Sequence, residues 1–101
     1  MTRNEHLLSI LAEECVEVAQ RVTKALRFGL AEIQPGQLKT NAQRIMDEIN
    51  DLLAIYQMVA GENKPLFEGS VLEWQMALDD KKEKVEKFLK YSTECGTVND
   101  H

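Results

Sequence analysis

Three stretches of this chain carry apolar residues at the three-and-four spacing of an α-helix, and only two short loops interrupt them. Between Asn4 and Phe28 the stripe is Leu7, Leu8, Leu11, Cys15, Val18, Val22, Ala25 and Leu26. Gly29 then suits a left-handed C-terminal cap. Residues 30–39 read as a loop turning at Pro35-Gly36. Thr40 or Asn41 can cap a second helix reaching about Ala60, with Ala42, Ile45, Met46, Ile49, Leu52, Leu53 and Tyr56 as its stripe. A second loop, 62–69, holds Pro65, and Ser70 with Glu73 makes a capping box for a third helix. That helix carries Val71, Trp74, Leu78, Val85, Phe88 and Leu89 and should end near Tyr91. The expected fold is all-α: one helical domain over residues 1–92, a bundle of three main helices, then a polar, frayed tail over 93–101.

At 101 residues the chain has no room for a second independent core. The apolar arcs are nevertheless wide. That of the first helix covers nearly half its circumference, and the second has an extra flank at Ala54, Ile55 and Met58. Three helices would struggle to cover that surface, so completion as a homo-oligomer is expected, with the spare flank as interface. The net charge of −5 and the absence of a basic tract argue against a nucleic-acid polymer as partner. No apolar run is long enough to span a bilayer, and the polar start Thr2-Arg3-Asn4-Glu5-His6 is unlike a signal peptide. No membrane partner is expected, and the expected setting is the cytoplasm of a bacterium or a phage-infected host. Cys15 and Cys95 form neither a disulfide framework nor a zinc spacing, and Cys15 reads as a small buried residue.

Two acidic patterns break the apolar stripes. Glu13-Glu14-Cys15-Val16-Glu17 lies on the first helix and Glu48-Ile49-Asn50-Asp51 on the second. Residues three apart share a helix side, so Glu14 pairs with Glu17 and Glu48 with Asp51. At 100° per residue Glu14 projects between Ile10 and Leu7, and Glu17 beside Ile10 and Phe28. Glu48 falls between Val59 and Ile55, and Asp51 between Ile55 and Met58. Two such helices packed together would gather four carboxylates beside apolar surface. Buried carboxylates are costly unless paired or coordinating, and hard divalent cations offset their repulsion through oxygen ligands. The plainer reading makes them boundary charges paired to Arg21, Lys24 or Arg44. Glu13 turns toward the polar face and is either a solvated glutamate or a group that positions water.

Other polar residues stand near these stripes. Arg21 points between Glu14 and Glu17. On the third helix Lys81 falls between Trp74 and Phe88, with Lys84 and Tyr91 at the stripe's edge. Each either snorkels to solvent or faces an anion. Asn50 reads as a surface amide or a base-reading one. No Gly-rich phosphate loop, Cys-x-x-Cys or Glu-x-x-His is present. An all-carboxylate set suits Mg²⁺, with Mn²⁺ as a second possibility, better than zinc or iron.

Glu-Glu-x-x-Glu on one helix followed by Glu-x-x-Asp on the next resembles the MazG-like, all-α nucleoside triphosphate pyrophosphohydrolases. The segments from Leu11 to Gln20, Lys24 to Gly29, Asp47 to Leu53 and Lys84 to Ser92 are similar to small phage and bacterial members, so the likeness runs over most of residues 7–92. It implies Mg²⁺-dependent hydrolysis of a (deoxy)nucleoside triphosphate to monophosphate and pyrophosphate in a dimer or tetramer. By position it implies Glu14, Glu17, Glu48 and Asp51 as metal ligands and Glu13 as the group that orients or deprotonates water. Lys81, Lys84 and Tyr91 become phosphate contacts, with Arg21 and Asn50 as further substrate candidates. The interval from Glu17 to Glu48 is long for the family, which leaves loop-borne substrate contacts open. The competing expectations are a nucleotide- or metal-binding protein without turnover, a purely structural helical oligomer, and a phosphodiesterase using the same site.

Overall fold

A computed structural model describes residues 1–99. It contains α1 (Arg3–Phe28), α2 (Asn41–Glu62) and α3 (Val71–Glu94), and no strand among the described residues. Each helix begins at a hydroxyl cap. Thr2 accepts from the backbone N–H of Glu5, Thr40 from that of Gln43 and Ser70 from that of Glu73. For α1 and α2 the side chain three residues on bonds back to the cap's own backbone N–H, so two otherwise orphaned donors are satisfied at each start. At Ser70 the Glu73 carboxylate meets the hydroxyl instead.

The chain divides into two compact units, one over Met1–Phe67 and one beginning at Glu68. In the first, α1 and α2 pack as an antiparallel pair. The register is fixed from the open end: Arg3 Nε reaches Glu62 at 2.9 Å and Asn63 Nδ2 donates to Asn4 Oδ1 at 2.7 Å. One turn in, Leu7 meets Ile55 and Val59, with Ile10 and Leu11 against them; Val59 is fully enclosed. Tyr56 and Phe67 meet edge to face at 6.1 Å.

The 12-residue connection is held at both ends. Gln34 to Gln37 closes a turn with Pro35 and Gly36 at its centre, and Gly36 has φ 82°, the value a type II turn demands of its third residue. Gly29 ends α1 at φ 99° but with ψ 148°, so the expected left-handed cap is an extended glycine, still beyond easy reach of an L-residue. Asn41 is buried at the start of α2. Its Nδ2 donates to the Gly29 carbonyl at 2.8 Å and to Glu32 Oε1 at 3.2 Å, tying the end of α1 to the start of α2.

Other expectations are corrected. The expected α2 stripe is covered only in part: Ala42, Ile45 and Leu52 are half-buried, but Met46, Ile49, Leu53 and Tyr56 are exposed, while Ile55, alone of the spare flank, is core. Cys15 is exposed, on the side of α1 that also leaves Leu8 and Val22 open. α2 runs through Gly61 to Glu62, and α3 passes Tyr91 to Glu94. Past α3, Thr97 bonds back to the Ser92 carbonyl through both backbone and hydroxyl. Asp100 and His101, the end of the expected tail, lie outside the described residues.

In the second unit every residue of α3 from Val71 to Tyr91 is exposed, Trp74 and Phe88 included. None of the helices among the described residues is long and apolar enough to cross a membrane.

Candidate metal centre

Along the α1–α2 seam the side chains change character once per heptad. On α1 the sequence runs Leu7, Glu14, Arg21; on α2, read backwards, Ile55, Glu48, Asn41. Seven residues return to almost the same side of a helix while advancing about 10 Å. The seam therefore passes from an apolar end, through carboxylates, to a basic end.

At the middle level Glu14, Glu48 and Asp51 each present an oxygen, and these oxygens lie within 4.8 Å of one another. Glu14 and Glu48 are half-buried and Asp51 is exposed. Glu14 Oε2 is inaccessible to solvent and has no hydrogen-bond partner. Such an atom is costly, since it has left water without replacing it. The Glu14 carboxyl titrates above its ordinary value, first because burial strips its hydration, then because Asp51, Glu48, Glu17 and Glu13 repel its charge.

No ion pair among the described residues reaches these acids. Among the described residues the ion pairs are Arg3–Glu62 and Lys39–Asp47, both outside the cluster. Arg21, one of the partners the plainer reading offered these acids, forms no salt bridge among the described residues, and its Nη1 is buried with no acceptor.

The donor set suits a hard divalent cation. Oxygens sharing one Mg²⁺ stand at most about 4.2 Å apart, twice a 2.0–2.1 Å bond. Three carboxylates with oxygens within 4.8 Å of one another are close to that spacing, and a cation would give Oε2 of Glu14 the partner it lacks.

No family model, curated protein or solved structure matched the chain significantly.

The remaining sequence candidates fall in different places. Glu17, half-buried one turn beyond Glu14, is near enough to repel it but is not in the set of three. Glu13 is exposed beside Glu14, and Asn50 is exposed on α2. Lys81 and Lys84 line a common hollow in the second unit with Val85, Phe88 and Ser92, and Tyr91 is exposed on the same helix. Motif reading missed Lys39 and Asp47, and treated Arg44 only as a salt-bridge partner. These three flank Glu48 around a hollow at the basic end of the seam. The heptad spacing from Glu14 to Arg21 and from Asn41 to Glu48 was the signal that pointed there.

Proposed function

We propose that this protein is an Mg²⁺-dependent nucleoside triphosphate pyrophosphohydrolase, converting a (deoxy)nucleoside triphosphate to the monophosphate and pyrophosphate. The observation that carries the metal half of the proposal is the unpartnered, buried Glu14 Oε2 inside the Glu14–Glu48–Asp51 cluster. The substrate half rests on the resemblance of the ordered acidic motifs to the MazG-like enzymes.

In this reading Glu14, Glu48 and Asp51 hold the cation, with Glu17 joining them as the resemblance implies. A cation held there would offset charge on the triphosphate and make water a stronger acid. Glu13, exposed next to Glu14, accepts the proton of the water that attacks the α-phosphorus, and the bond to the bridging oxygen of the departing pyrophosphate breaks. No covalent nucleophile is needed. The roles of Lys81, Lys84 and Tyr91 as phosphate contacts rest on the resemblance alone. A dimer or tetramer belongs to the same proposal, supported by the open apolar residues Met46, Ile49 and Leu53 of α2 and Trp74 and Phe88 of α3.

The test is pyrophosphate release from a panel of ribo- and deoxynucleoside triphosphates with Mg²⁺, comparing wild type with Glu48→Gln. Wild-type release that drops by at least about 100-fold in the variant is expected, in line with losing one anchor of an electrostatically organised site. A folded, metal-supplied wild type that releases nothing from any triphosphate would sink the proposal.

A further inference from the structure

Beyond Glu48 the seam opens into a surface hollow of about 370 Å³ walled by Arg21, Lys39, Arg44, Asp47, Glu48 and the turn at Gly36. Three cations face two carboxylates there, so its sign is opposite to the chain's net −5. Each wall is fixed. Arg44 Nη1 donates to Gln34 Oε1 at 2.9 Å, Lys39 Nζ reaches Asp47 Oδ2 at 2.8 Å, and the Pro35-Gly36 turn sets the rim. Arg21 also lines the hollow, and its Nη1, shut from solvent, has no acceptor. The backbone at the start of α2 offers nothing to a ligand. Asn41 N–H goes to the Glu32 carbonyl, Ala42 N–H to that of Leu30, and Gln43 N–H to Thr40 Oγ1. Recognition in the hollow therefore falls to side chains.

We infer that this hollow is an anion subsite that takes the terminal phosphates of a polyphosphate ligand, gripped by Arg21, Lys39 and Arg44. Guanidinium groups present forked donors that match phosphate oxygens, and the lysine supplies a mobile point charge. Among the described residues no aromatic ring lines the hollow for a base to stack on, which assigns it to the phosphate end. Glu48 belongs both to the hollow and to the carboxylate cluster, so an anion seated here lies beside the proposed cation. Asp47 acts in opposition: it competes with the ligand for Lys39. The inference rests on the triphosphate reading of the site and deepens it, since it names the residues that hold the end of the substrate.

Calorimetric titration of inorganic pyrophosphate into the full chain with Mg²⁺ tests it. Lys39→Met and Arg44→Met should each weaken binding about tenfold, the loss of one charge-assisted contact. Asp47→Asn should tighten it about threefold by freeing Lys39, an effect that partial unfolding does not imitate. Any other order of affinities, including no measurable binding by wild type, overturns the subsite. Triphosphate hydrolysis by wild type is followed in parallel. Hydrolysis without the expected order rejects the subsite and leaves the hydrolase reading in place. The expected order without hydrolysis rejects the hydrolase and leaves the anion subsite standing.

Discussion

At Glu14, burial and repulsion act on one carboxyl in the same direction, and both raise its pKa above 4.5. Between that ordinary value and the raised one, the folded protein binds more protons than the unfolded chain. Stability contributed by this group is therefore complete below 4.5 and is lost as pH rises through the folded pKa. In chelator, the melting temperature should fall across that window, and Glu14→Gln should remove most of the fall. A pH dependence unchanged by the substitution would show that Glu14 is not its source. The same variant should weaken Mg²⁺ binding about 100-fold, the upper end of what losing even a supporting partner does at metal sites; calorimetric titration of the metal alone checks it. The carboxylates were legible as residues because acids three apart had to share a helix side. The exposure of Cys15 was not, because its stripe could not say which of its members a neighbour would cover.

Helix starts follow from local chemistry: Thr2, Thr40 and Ser70 each supply a hydroxyl where the first turn has free N–H groups. Pairing between helices depends on more. The α1–α2 contact is anchored on a small apolar cluster, so Leu7→Ala should cost about 2 to 4 kcal/mol in urea unfolding, given the cavity it leaves against Ile55 and Val59. A loss under about 1 kcal/mol would place the main support elsewhere. Asn41→Ala should cost about 1 to 3 kcal/mol in the same measurement, because Gly29 and Glu32 lose a common donor. Its burial was hard to foresee, since in sequence it is one of two adjacent polar residues that could cap α2. The face of α2 turned to α1 was misjudged for a related reason. Its stripe and its flank are both apolar, and helical periodicity does not rank one against the other.

At the scale of the whole molecule, both units leave large apolar residues exposed. Burial of such side chains is worth roughly 25 cal/mol per Å², so the exposed Met46 and Leu53 of the first unit, and separately Trp74 and Phe88 of the second, favour association with further copies of the chain. Sedimentation at micromolar concentration should give twice or four times the mass of one chain. A single species at the mass of one chain would remove the oligomer from the proposed function.

By itself the sequence determined the helical class, the two interruptions, the Ser70 cap and the candidate acids, and narrowed the cap of α2 to Thr40 or Asn41, because each depends on neighbours within a few residues. Only the tertiary structure decided that Ile55 and not Met46 meets α1, that Glu14, Glu48 and Asp51 converge while Glu17 stands one turn away, and that Lys39, Arg44 and Arg21 gather at one end of the seam. Those outcomes depend on the register between two helices. Register is chosen by the sum of contacts along the whole seam, from Arg3–Glu62 at one end to the Asn41 anchor at the other, and no local pattern contains that sum.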